Sequence, residues 1–215
     1  MKDKGLHSLS YGLYVIGAKL NGKEAGCIVN TVFQVTNENP LICISMSKEN
    51  ATLEAIRQTG RFSVSILSEE TDPAIIGTFG FKSSRQVNKF EGIRWKELEG
   101  VPLVMENIPG YLICEPINET DAETHVLILA RVICAEDEGS FRPMTYAYYH
   151  EVIKGKAPKT APTYSSNETV ERKKGSKSYK CDICGYIYEG DISQEPDSYL
   201  CPLCGVDKSH FKLQS

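Results

Sequence analysis

A chain of 215 residues has room for one good-sized domain and a small second one. With 41% apolar and 24% charged residues and a formal net charge of −4, it lacks the basic balance of a nucleic-acid binder. No apolar run approaches the ~20 residues of a membrane span, and Met1-Lys2-Asp3-Lys4-Gly5-Leu6-His7 lacks a signal peptide's apolar core, so a soluble cytoplasmic protein is expected.

β-branched and aromatic residues mark strands at 14–16, 26–33, 41–46, 61–67, 110–115 and 124–132. Asn50 is placed to cap a helix over 51–59, with Gly60 just past its end. Asp72-Pro73 opens a second helix running toward Phe79, because proline suits a first helical turn. Several strands with two short helices predict a mainly β fold, a closed or split β-barrel with helical insertions.

From Lys154 onward the apolar residues thin out. Residues 154–178 carry seven Lys/Arg against two Asp/Glu, whereas 179–215 carry three against six. Such a polar, basic stretch buries too little apolar surface to fold alone. The expected division is a first domain at 1–165, a flexible linker at 166–178 and a small domain at 179–215. No internal repeat is visible.

The eight cysteines fall into two groups. Cys27, Cys43, Cys114 and Cys134 are scattered, mostly within apolar stretches, and read as small buried hydrophobes. Cys181, Cys184, Cys201 and Cys204 form two Cys-x-x-Cys pairs within 24 residues, which in a reducing compartment reads as metal ligation. Two residues between cysteines let a tight turn aim both sulfurs at one ion, and Gly185 and Gly205 supply the positive φ such a turn needs. A tetrahedral S₄ site suits iron or zinc. Metal then replaces the core that 37 residues cannot build.

The tail resembles rubredoxin in its residues: Tyr179-x-Cys-x-x-Cys-Gly-Tyr186-x-Tyr188, Cys201-Pro202-x-Cys204-Gly205, and the late pair Lys208 and Phe211. Sixteen residues separate Cys184 from Cys201, closer to the compact rubredoxin-like ends of rubrerythrins. The resemblance implies iron. A zinc ribbon, the alternative, has similar knuckles but no need of Tyr179, Tyr186, Tyr188 and Phe211 beside the metal.

Residues 6–164 resemble the flavin reductase-like, FMN-binding split-barrel family. The matches are 12–16 with Asn21-Gly22, 26–36, 39–52, 81–90, 123–132 and the arm at 148–164. Read alone, these would be a hairpin, a capped helix, a polar loop, a strand opened by a structural histidine, and a linker. In order they imply an FMN site at Asn30, Thr31, Gln34, Ser45, Ser47, Lys48, Thr52, Ser83, Arg85 and Lys89. Hydroxyls, an ammonium group and the start of a helix at 47–52 make chemical sense as a phosphate site. His125 is the implied catalytic residue, placed to position a nicotinamide or move a proton. In the 81–90 loop the family's glycine and both acids are replaced by Ser84, Gln86 and Asn88, with Arg85 and Lys89 retained.

A flavin accepts two electrons as a hydride and an iron–S₄ centre carries one, so fusing them implies a converter. The fusion resembles the high-molecular-weight rubredoxins of anaerobes, which pass electrons to flavodiiron proteins that reduce oxygen or nitric oxide. The expectation is an NAD(P)H-dependent FMN oxidoreductase, a homodimer through its first domain, delivering electrons through iron to a protein acceptor. Two alternatives stand beside it: a carrier that does not use NAD(P)H, and a flavin or ferric reductase with a zinc-binding tail.

Overall fold

The computed structural model describes residues 4–153, 163 and 178–214. The expected linker at 166–178, save Ser178, and residues 154–164 of the expected arm at 148–164, save Thr163, lie outside the described residues. Among the described residues no helix is long and apolar enough to cross a membrane.

The strands are β1 (Tyr14–Leu20), β2 (Lys23–Val29), β3 (Val32–Gln34), β4 (Leu41–Ser47), β5 (Phe62–Ile66), β6 (Trp95–Leu98), β7 (Val101–Val104), β8 (Gly110–Ala122) and β9 (His125–Asp137). The helices are α1 (Ala51–Thr59), α2 (Pro73–Phe81) and α3 (Tyr146–Glu151). Seven strands form one antiparallel sheet in the order β2-β1-β5-β8-β9-β4-β3, and β6 and β7 form a separate hairpin. The outermost strands, β2 and β3, are consecutive in the chain and joined by Asn30 and Thr31 alone. A link of two residues forces the sheet to curl until its edges nearly meet, and the unpaired seam between them makes the barrel split.

Local chemistry sets several of these elements. Asn21 (φ 51°) and Gly22 (φ 77°) take the two left-handed positions of the β1–β2 turn, as a two-residue hairpin requires. The Asn50 side-chain oxygen accepts from Thr52 N–H at 2.9 Å, and Gly60 ends α1 at φ 66°. Asp72 caps α2 by accepting from Ala74 N–H at 2.8 Å, with Pro73 in the first turn. Leu53, Ala55 and Ile56 of α1 enter one core with Ile16, Phe62 and Val64.

Two expectations need correction. The strand expected at 26–33 is two strands, broken at Asn30-Thr31 because the chain there crosses the seam. β8 and β9 extend far past 115 and 132 as a 13-residue pair, since cross-strand pairing carries the polar run of residues 115–121 that propensity alone disfavours. The helix α3 and the β6–β7 hairpin were not foreseen from propensity.

The tail holds β10 (Ser178–Cys181), β11 (Ile187–Glu189) and β12 (Phe211–Leu213) in the order β11-β10-β12. Its buried cysteines, Leu203 and Phe211 belong to the same apolar cluster as Ile75, Ile76 and Phe79 of α2.

Candidate functional site: a cavity at the barrel seam and a four-sulfur centre

A half-open cavity of about 180 Å³ lies where the end of β2, the end of β4, the start of α1, α2 with its following loop, and α3 converge. Leu13, Ile28, Val29, Ile76 and Phe79 give it apolar walls, and Ser45, Ser47, Asn50 and Ser83 a polar side. Of the residues expected from sequence, Asn30, Ser45, Ser47, Ser83, Lys89 and His125 line it. Residues 50 and 51 open it onto the N-terminus of α1, where backbone N–H groups favour an anion.

His125 opens β9 opposite Ser47. Its Nδ1 lies 2.8 Å from Thr124 Oγ1, while Nε2 is buried and has no hydrogen-bond partner among the described residues. A buried, unsatisfied ring nitrogen is costly unless a ligand meets it. Asn30 is held from both sides: its Nδ2 donates to Thr163 Oγ1 at 2.9 Å, and the Thr31 hydroxyl donates to its Oδ1 at 3.1 Å. Thr163 in turn is 2.6 Å from the Tyr146 hydroxyl.

Lys89 is 3% exposed and donates to the carbonyls of Gly26 (2.8 Å) and Phe79 (3.1 Å). Burial pulls its ammonium group down to about 8, with the neighbouring Cys27 sulfur opposing the shift. Ser84 Oγ accepts from Gly26 N–H (3.0 Å) and donates to its carbonyl (3.1 Å), so the 82–89 loop is pinned to β2.

The remaining expected residues lie elsewhere. Thr31 faces an adjoining depression with Tyr11 and Tyr14. Gln34 is exposed and donates to the Thr36 carbonyl at 2.9 Å. Thr52 is fully buried, with its hydroxyl against the Cys27 sulfur rather than in the cavity. Lys48 pairs with Asp121, whose carboxyl is held below its usual range by that contact. Arg85 pairs with Glu54 at 2.8 Å. The structure thus brings neither Lys48 nor Arg85 to the cavity wall. Lys82, Asn50, Tyr146 and Tyr149 do line it and were missed. Lys82 stood one place before Ser83, and the tyrosines could have been found as one face of a helix.

The four-sulfur centre is built from two matching turns. Gly185 N–H donates to the Cys181 carbonyl (2.9 Å) and Gly205 N–H to that of Cys201 (2.8 Å), at φ 78° and 72°. Cys181 N–H donates to the Tyr186 carbonyl and Cys201 N–H to that of Val206, at 2.9 and 2.7 Å. All four sulfurs lie within 4.8 Å of one another, with Cys181 and Cys204 3.7 Å apart and Cys184 and Cys201 3.5 Å apart. A tetrahedron with metal–sulfur arms of ~2.3 Å has edges of ~3.8 Å, so the set fits one thiolate-bound ion. The Cys201 thiol is held below its ordinary range, first by the hydrogen bond from Cys184 and then by the backbone N–H groups of Cys204 and Leu203. N–H groups aimed at a sulfur stabilise a thiolate whether or not a metal shares it. Tyr186, Tyr188 and Tyr199 pack edge-on against Phe211, at 5.9 to 6.5 Å between centroids. By contrast, Cys27, Cys43 and Cys114 are buried core residues, and burial pushes the Cys114 thiol up to about 12.

The chain thus combines a seam cavity that opens onto a helix N-terminus with a set of four thiols spaced for one metal ion. Residues 6–155 match the flavin reductase-like domain family and residues 179–212 the rubredoxin-like domain of rubrerythrin. The chain is 39% identical to the high molecular weight rubredoxin of Moorella thermoacetica, over 99% of both chains. It is 38% identical to the ferric-chelate reductase (NAD(P)H) of Archaeoglobus fulgidus, over 76% of this chain and 98% of that one. The chain therefore belongs to the flavin reductase-like family and carries a C-terminal rubredoxin-like domain. Among solved structures, a Streptomyces globisporus NADH:FAD oxidoreductase matches with a TM-score of 0.61 at 20% identity, covering 66% of this chain and 85% of its own. An FMN-binding protein from Thermus thermophilus matches at 0.57 and 20%, covering 61% and 74%. Both show the fold alone. The family pairing implies a flavin and iron as cofactors, and electron transfer through flavin to a rubredoxin-type centre.

Proposed function

We propose that the chain takes a hydride from NADH or NADPH onto FMN at the seam cavity and passes the electrons singly through its iron centre to a protein acceptor. The observation that carries this reading is the presence, in one chain, of the cavity with its unsatisfied His125 Nε2 and of four sulfurs spaced for one ion. The relative named for NAD(P)H use supports the donor.

When bound, the flavin supplies hydride acceptance and single-electron release, and iron supplies a one-electron carrier. The chain's own residues do the rest. Ser45, Ser47 and the start of α1 offer donors to an anionic end, with Lys82 and Lys89 as the cations that line the cavity. Lys48 and Arg85 reach a phosphate by leaving Asp121 and Glu54, a cheap exchange because exposed ion pairs are weak. Asn30, clamped by Thr31 and Thr163, orients an edge of the ring. His125 is fixed through Nδ1 and presents Nε2 to hold a proton or a carboxamide.

A homodimer through the first domain belongs to this reading. At about 180 Å³ the cavity is smaller than most ligand pockets. The edge strand β3 exposes Phe33 (54%) and Val35 follows at 47%, an apolar surface suited to a second copy. The acceptor is expected to be a flavodiiron-type reductase of oxygen or nitric oxide.

The test is anaerobic mixing of flavin- and iron-loaded protein with NADH or NADPH while flavin and ferric-thiolate absorbance are followed. Flavin bleaching followed by loss of the iron colour is expected. No bleaching with either nucleotide would make the chain a carrier, and a colourless tail with bound zinc would rule out the exit. Sedimentation of a monomer that still holds FMN would rule out the dimer.

A further inference from the structure

The two cysteine turns share a backbone but not a setting. Ile183 and Leu203 hold the same place, third in their Cys-x-x-Cys sequences, yet Ile183 is 48% exposed and Leu203 1%. Leu203 is covered by α2. A Cβ built on Gly77 would lie 1.2 Å from the Leu203 carbonyl oxygen, 2.3 Å from its carbonyl carbon and 3.0 Å from Cys204 Cα. Gly77 sits inside a helix, where glycine is disfavoured relative to alanine and the backbone has no need of it. The close approach of the cysteine turn gives a reason for glycine. On the same helix, Ile76 and Phe79 line the cavity. Cavity and metal centre thus lie against one helix, about 10 Å across.

We propose that the contact between α2 and the Cys201–Cys204 turn is the dock through which the flavin site reduces the iron, and that Gly77 is the residue that permits it. The inference rests on the reading of the cavity as a flavin site. In the step, one electron leaves the reduced flavin and converts one ferric ion to ferrous. The flavin's second electron follows once the iron has handed the first to the acceptor, the flavin's proton going to water when it is fully oxidised, and no bond forms or breaks at the iron. The opposite turn, with Ile183 in solvent, stays outside the dock.

The clash at Gly77 is with backbone, so no repacking of side chains relieves it. In the full-length protein carrying flavin and iron, Gly77→Ala keeps α2 helical and displaces the tail. Two changes are expected: amide exchange over 73–81 rises at least tenfold, and the ferric-thiolate colour fades at least a hundredfold more slowly after the flavin is reduced. Bleaching of the flavin itself by NAD(P)H is expected to be unchanged. Leu203→Asp, made in the tail, opens the same contact from the other side and serves where Gly77→Ala does not fold. Photoreduction of the flavin replaces the nucleotide where the wild type is not bleached by it, so failure of the donor assignment is separable from failure of the dock. Iron reduced at the wild-type rate in a variant whose α2 exchanges rapidly would overturn the proposal. So would unchanged exchange in both variants.

Discussion

The four sulfurs of the metal centre come from 24 consecutive residues, whereas the cavity draws its walls from positions between Leu13 and Tyr149. Short spacing and two left-handed glycines suffice to aim the sulfurs, and metal binding supplies the folding free energy that a few buried side chains of the tail do not. The cavity has no such local rule. It exists because β2 and β3 are joined by two residues and the sheet must curl, which brings Asn30 near Ser47 and His125 from the far side of the sheet. A local site fails all at once when its ion goes, and a distributed one fails by degrees.

Stripping the metal, or making Cys204→Ser, is the largest perturbation of this contrast. The tail is expected to unfold outright, since a structural thiolate site contributes on the order of 10 kcal/mol or more. The first domain keeps its own core around Ile16, Phe62 and Ile44 and should retain flavin and a cooperative thermal transition. Loss of both together in calorimetry would show one cooperative unit. Next in size, His125→Ala should slow flavin reduction by nicotinamide roughly 100-fold, the usual scale for losing a positioned proton donor or acceptor. Flavin content should stay the same; an unchanged rate in stopped flow would leave the buried Nε2 without a role.

Leu203→Ala against Ile183→Ala probes the boundary between the two sites. The buried leucine should cost the docked tail about 2–3 kcal/mol and the exposed isoleucine under about 0.5 kcal/mol. Equal costs in denaturant titration would erase the asymmetry between the turns. The smallest effect concerns Lys89, which loses its proton near pH 8 in the ligand-free fold. An anionic ligand nearby favours the charged form and raises that value, so affinity is complete below about pH 8 and falls as pH rises through it. The fall should approach tenfold per pH unit at most, one proton being involved. Flavin affinity that is flat from pH 7 to 9.5 would place the anion away from Lys89.

Much of this was legible because it is local. Asn50, Gly60, Asp72 and Pro73 bound two helices through their own backbone preferences, and Asn21-Gly22 fixes a hairpin in the same way. The metal ligands were readable from spacing, and the residue matches identified both families. The partners of each charge were not. Lys48 and Arg85 read as phosphate cations from their place in the chain, but that Asp121 and Glu54 pair with them in the ligand-free fold, and that Lys82 and the tyrosines of α3 line the cavity, depends on long-range packing.

Sequence by itself therefore determined the short-range geometry: caps, turns, ligand set and the identity of the two modules. Tertiary structure alone decided which of two equivalent turns is buried. Ile183 and Leu203 are equivalent by spacing and similar in composition, and they differ in burial because one of them packs on α2, where Gly77, more than 120 residues earlier in the chain, leaves room for its backbone.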